Sequence, residues 1–193
     1  FEVNGAGTCL TTEQCLLNRN RNPHMSRGEI ERFLKETLGA SHLIWLGEGI
    51  IGDDTDGHID DIARFINPMT VVCVLEANSR DENYARLREN YERLQGAHDQ
   101  DGNSLSVVTL PCPAPVGDEG SRLPASYANF YIGNEVVLAP MFDDPNDDKA
   151  VGILQELFPE RRVVGLPCKA VVAGLGAIHC VTQQEPSILA CRP

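Results

Sequence analysis

The sequence predicts an α/β protein of a single domain, and three observations carry that expectation. Apolar runs of strand length, such as residues 43–46 and 70–75, alternate with segments whose apolar positions recur every three or four residues. The 193 residues are 42% hydrophobic, enough to bury a sizeable core in a chain of single-domain length. The order hairpin, helix, strand recurs about three times, although the repeats share no sequence self-similarity.

Residues 1–10 read as a hairpin turning at Gly5-Ala6-Gly7, followed by a short helix over 12–17 that the polar stretch 18–23 breaks. Ser26-Arg27-Gly28-Glu29 has the spacing of a capping box. Ile30, Phe33, Leu34 and Leu38 follow at helical intervals, so an amphipathic helix ends near Gly39. Residues 43–46 then form a buried strand that delivers the chain to an acidic loop; residues 59–66 emerge from it, and 70–75 are the next strand. Tyr84, Leu87, Tyr91 and Leu94 mark a helix over 81–94 with Arg and Glu outward, and 105–110 return to strand. The Pro- and Gly-rich stretch 111–124 is too short to link domains and reads as a surface or active-site loop. Residues 127–132 and 135–139 flank Gly133-Asn134, a two-residue hairpin turn. A last helix opens on the acidic residues of 144–148, buries Ala150, Ile153, Leu154 and Leu157, and stops at Pro159. Residues 163–166 and 177–181 complete the expected strands.

A net charge of −12 without any Lys/Arg stripe excludes nucleic acid as a partner and suits cationic ligands. No apolar run approaches the ~20 residues of a bilayer span, so no membrane partner is expected. The seven cysteines, Cys9, Cys15, Cys73, Cys112, Cys168, Cys180 and Cys191, form an odd set without Cys-x-x-Cys or paired Cys/His spacing. Neither a disulfide framework nor a zinc site is expected from them, which points to a reducing, cytoplasmic compartment.

Two distant segments carry chemistry. The first runs Gly47-Glu48-Gly49-Ile50-Ile51-Gly52-Asp53-Asp54-Thr55-Asp56-Gly57-His58-Ile59-Asp60; the second is Gly174-Leu175-Gly176-Ala177-Ile178-His179-Cys180-Val181-Thr182-Gln183-Gln184. Singly, each is more often a loop or a core segment. The density of carboxylates among Ile50, Ile51 and Ile59 decides otherwise, because a carboxylate drawn inward needs a cation or donors. A sulfur nucleophile, an imidazole and clustered anions together suit attack on a cationic planar carbon, for which a guanidinium is the best fit.

These two segments, with Arg64-Phe65, Leu123-Pro124-Ala125-Ser126-Tyr127 and Asn129-Phe130, resemble the agmatine deiminase / bacterial peptidylarginine deiminase family, essentially from end to end. The resemblance implies a partial α/β-propeller of pentein type, about three of five ββαβ-like units. It implies Cys180 as nucleophile, His58 as proton carrier, Asp60 as the carboxylate that clamps the guanidinium and Asp54 as a residue facing its reacting end. Asp53 and Asp56 are read as shaping the loop, Gly174 and Gly176 as letting backbone approach the ligand, and Ser126, Tyr127 and Asn129 as packing. His179 is read as structural, since neighbours on an extended segment point to opposite faces. Leu175 and Ala177 depart from the more glycine-rich run common in the family.

The implied reaction is hydrolysis of agmatine to N-carbamoylputrescine and ammonia, a step of putrescine and polyamine biosynthesis, through a thiouronium on Cys180 and without metal or organic cofactor. Two alternatives stand beside it: a peptidyl-arginine deiminase, and a non-catalytic chain that binds ligand or a complementary half. The resemblance leaves a homo-oligomer open. The family's Trp-x-Arg-Asp and Glu-Gly-Gly segments are missing, so residues 1–193 are expected to form one incomplete catalytic domain, the C-terminal part of a deiminase propeller.

Overall fold

The computed structural model of the chain describes residues 1–118 and 120–185. β1 (Glu2–Val3) and β2 (Thr8–Thr12) pair antiparallel; α1 (Glu13–Leu16) and α2 (Arg27–Leu38) then carry the chain across to β3 (His42–Leu46), which lies parallel to β2. The same order returns with β4 (Ala63–Asn67), β5 (Thr70–Leu75), α3 (Tyr84–Gln95) and β6 (Ser106–Pro111). After a small hairpin of β7 (Val116–Asp118) and β8 (Ser121–Leu123), it returns again with β9 (Tyr131–Ile132), β10 (Val136–Met141), α4 (Asp147–Leu157) and β11 (Arg162–Pro167). Each unit is thus a hairpin, a helix and a parallel strand. A parallel pair needs a crossover connection, and in each unit a helix supplies it.

Local chemistry explains the boundaries. The expected capping box forms: Ser26 Oγ accepts from Glu29 N, while the Glu29 carboxylate accepts from Ser26 N at 2.8 Å. Gly39, at φ 67°, ends α2 in the left-handed region. Strand alternation places β5 between two cores. Val71 and Cys73 face Leu10, Leu46, Leu87 and Leu94, whereas Val72 faces Tyr127, Phe130 and Leu154. Arg64 ties the units together. It is 2% exposed, donates from Nη1 to Phe130 O at 2.7 Å and stacks over the Phe130 ring; its Nε lies 2.9 Å from Glu2 Oε1, not aligned for a hydrogen bond.

The structure departs from the sequence reading in several places, and the stretch 111–124, read as a loop, holds the β7–β8 hairpin. α3 begins at Tyr84 rather than 81, because the Asp81 carboxylate is held in a local turn by Asn83 N at 2.8 Å and by Arg122 at 2.8 Å. Residues 127–130 are irregular, and the hairpin that follows closes from Gly133 N to Val136 O, which puts Asn134 and Glu135 at the turn. Residues 178–181 are a turn, not a strand. Cys191 lies outside the described residues. Among those described, no helix is long and apolar enough to cross a membrane.

Candidate active site

The acidic loop after β3 is held by side chains. Asn90 accepts from Gly47 N and donates to Glu48 O, both at 2.7 Å; Gln14 Oε1 accepts from Gly49 N at 2.7 Å, and Asn83 Oδ1 from Ile51 N at 2.8 Å. Asp53 closes the loop on itself. Its Oδ1 accepts from Thr55 N and Oγ, and its Oδ2 from Gly57 N at 2.9 Å and His58 N at 2.8 Å. This is the loop-shaping role expected of it. Gly57 takes φ 83°, and any Cβ there would lie 2.7 Å from Gln14 Oε1, so the approach to His58 requires glycine.

Past His58, a single 3-10 turn (Ile59–Asp61) buries both Asp60 and Asp61. From the other end of the chain, a second 3-10 turn (Val171–Gly174) leads through Leu175, at φ 67°, into the turn that carries His179 and Cys180. Gly176 makes room there. A Cβ on it would lie 2.7 Å from Cys180 Cβ and 2.9 Å from Sγ, whereas Gly174 faces open space. Gly176 therefore accommodates the cysteine side chain.

Asn129, fully buried, joins the two segments. Its Oδ1 accepts from His179 N at 3.0 Å and Cys180 N at 3.3 Å; its Nδ2 faces Asp61 Oδ1 at 2.9 Å, Cys180 Sγ at 3.1 Å and Asp60 Oδ2 at 3.2 Å. Asp60 Oδ2 also meets His179 Nδ1 at 2.7 Å and Cys180 Sγ at 3.4 Å, while Oδ1 lies 4.0 Å from His58 Nδ1. The two carboxylate oxygens thus divide: Oδ2 serves the protein and Oδ1 faces the histidine. His58 Nε2 sits 3.3 Å from Arg21 Nη2, a guanidinium nitrogen that can only donate.

Burial works against a charged Asp60, but the hydrogen bond and charge of His179, the Cys180 contact and the charge of His58 outweigh it and hold the carboxyl below the usual range. Asp61 goes the other way. Burial first, then the charges of Asp60 and Asp53, raise it well above the carboxylate range despite Asn129 and Arg64. Adjacent carboxyls are thus shifted in opposite directions. Withdrawal from water, followed by the charges of Asp60 and Asp61, pushes the Cys180 thiol up to about 12. Donor atoms of Asp60, Asp61 and Cys180 all lie within 4.8 Å of one another, the one set among the described residues close enough to share a metal ion. A thiol and an Asp61 carboxyl both shifted toward their protonated forms make it a poor metal chelate, since metal ligands must be deprotonated.

His58, Asp60, Asp54 and Cys180 all line one depression of about 540 Å³, together with Phe1, Leu175, Gly176 and His179. Asp54 is exposed on its wall. His179, read from the sequence as turned away, shares the depression with Cys180, because a turn does not alternate its side chains as a strand does. Asn129, read as packing, and Arg21 were also not singled out. The signal for Asn129 was a lone amide in the otherwise compact Ala125-Ser126-Tyr127-Ala128-Asn129-Phe130 run, since a buried amide must find partners.

The family of Porphyromonas-type peptidyl-arginine deiminases matches residues 1–186. The chain is 43% identical to the agmatine deiminase of Ectopseudomonas mendocina, over 97% of this chain and 56% of that protein, and 42% identical to that of Stutzerimonas stutzeri with the same coverage. Among solved structures, the agmatine deiminase of Enterococcus faecalis superposes with a TM-score of 0.91 at 39% identity, over 95% of this chain and 55% of that one. A Campylobacter relative, the C. jejuni agmatine deiminase solved as a cysteine-to-serine variant with substrate bound, superposes with a TM-score of 0.85 at 36% identity, over 92% and 52%. The chain therefore spans about half the length of the relatives it matches. Its three three-stranded sheets and one two-stranded sheet form no closed barrel among the described residues and correspond to part of the pentein-type fold of these structures.

Proposed function

The chain belongs to the Porphyromonas-type peptidyl-arginine deiminase family, and from that premise we propose that its site serves hydrolytic deimination of a guanidinium, with agmatine as substrate. The observation that carries the reading is the convergence of Cys180, Asp60, Asp61 and His58 on one open depression. A guanidinium, planar and cationic with N–H groups on its edges, suits the free oxygen of Asp60 beside the sulfur.

In the mechanism, Asp60 Oδ1, the oxygen not engaged by His179, accepts N–H groups of the guanidinium and orients its plane. The bound cation offsets the charge of Asp60 that helps keep Cys180 protonated, so binding and thiol activation are coupled. Cys180 passes its proton to His58, and the thiolate attacks the central carbon to give a tetrahedral adduct. One C–N bond then breaks, and ammonia leaves with a proton from His58. Water, deprotonated by His58, attacks the remaining thiouronium; the C–S bond breaks and a ureido product departs. From agmatine this is N-carbamoylputrescine, consistent with a place in putrescine formation. Asp54 faces the substrate's reacting end. No step calls on a metal or an organic cofactor.

The names of the relatives and the substrate-bound cysteine-to-serine relative support this assignment. A second reading, peptidyl-arginine as substrate, is supported by the family's name. Because the relatives are about twice as long, we place the remaining pocket wall in a complementary half, and residues 1–193 in one part of a catalytic domain. Ammonia release measured with the intact protein separates the readings: agmatine is turned over and peptidyl-arginine is not. Turnover of the peptide alone would reverse the substrate assignment.

A further inference from the structure

The Asn129 amide has two hydrogens and three acceptors, at 2.9, 3.1 and 3.2 Å. Its orientation is fixed by its partners. Oδ1 meets two backbone N–H groups, which only donate, and Nδ2 meets two carboxyl oxygens and a sulfur, so the flipped amide would lose every one of these bonds. The residue is fully buried, and no water competes for its hydrogens. Three acceptors sharing two hydrogens leave one unserved at any moment.

We infer that Asn129 is a positioning residue that couples guanidinium binding to activation of Cys180, by handing an N–H from Asp60 Oδ2 to Cys180 Sγ. This rests on the reading of Cys180 as nucleophile. In the free site the charge on Asp60 claims one hydrogen and Asp61 the other, and the sulfur keeps its own proton. When a guanidinium neutralises Asp60, that carboxylate's hold on the amide weakens, and the N–H turns to the sulfur, where it stabilises the thiolate left as the sulfur's proton passes to His58. The same amide pins the backbone N–H groups of residues 179 and 180, so the sulfur stays at hydrogen-bond distance while its charge changes. Only an amide of this length does both. Aspartate has the same shape but no donor.

The test is the alkylation of Cys180 by iodoacetamide in the intact protein, without and with guanidinium chloride at millimolar concentration as the cation, followed at this cysteine by peptide mass spectrometry across a range of pH, for the wild type and Asn129→Asp. This reads thiol ionisation without requiring turnover, so it fails separately from the deimination reading, which Cys180→Ala tests through ammonia release. Guanidinium is expected to move the alkaline limb of the wild type down by about one unit, about tenfold faster reaction at a fixed pH, and to leave the limb of the variant in place. A limb that guanidinium moves equally in both proteins, or in neither, overturns the inference. Should Asn129→Asp not fold, the side-chain amide resonances of Asn129 decide: on addition of guanidinium one of the two protons shifts in the wild type and not in Cys180→Ala, and equal shifts in both overturn it.

Discussion

Cys180 is exposed as a residue, yet its sulfur lies against two carboxyls and an amide, and that neighbourhood sets its reactivity. The direction of the pH effect follows from its sign. A thiol raised from 9.0 to about 12 carries less thiolate than an ordinary cysteine at every pH below about 12, by about a thousandfold near neutrality. Alkylation of Cys180 in the ligand-free chain should accordingly be slower than that of a free thiol by this order, and a rate at neutral pH equal to that of free cysteine would show that the carboxyls do not control it. Asp60→Asn is expected to weaken agmatine binding by about tenfold or more in calorimetry of the intact protein, because it removes the charge that faces the cation. Cys180→Ala should instead abolish turnover with binding retained. Residue types made His58, Asp60 and Cys180 legible as chemistry, since few other functions need them together. Asn129 and His179 were not, because what identifies them is a set of partners about 50 to 120 positions away.

Elements were legible where local chemistry alone fixes them. Ser26, Glu29 and Gly39 bounded α2 to within a residue, and Ser26→Ala is expected to lower the unfolding free energy by about 1 kcal/mol in urea titration, the worth of an N-cap. β5 was bounded at both ends by its β-branched run. The turn at 178–181 escaped because its apolar flanks look like a strand, while its conformation is dictated by Asn129 and by the close approach of Gly176 to Cys180. Gly176→Ala tests that approach. The added methyl meets Sγ at contact distances no real Cβ adopts, so the sulfur must move away from Asp60 and turnover should fall by about two orders of magnitude, as a displacement near 1 Å costs. Unimpaired turnover would mean that the turn has slack.

For the whole molecule, three ββαβ units met the expectation drawn from the family resemblance, although composition and periodicity alone indicated only an α/β protein. Repetition without sequence similarity is invisible to periodicity, because each unit needs only the same order of elements. The links between units are few and specific. Arg64 of β4 reaches Phe130 O and Glu2 across two boundaries, so Arg64→Ala leaves a partly buried carboxylate and a carbonyl uncompensated and should cost about 3 kcal/mol of stability in urea unfolding. The depression itself is assembled at such a boundary, from the turn that opens the second unit and the segment that follows the third. Its proposed chemistry depends on one bond, from Cys180 Sγ to a guanidinium carbon. Acid quenching of the intact protein during turnover of agmatine, followed by peptide mapping, reads that bond directly. The adduct should lie on the peptide containing Cys180 and vanish with ammonia release in Cys180→Ala; an adduct on another cysteine, or ammonia release that survives the substitution, would contradict it.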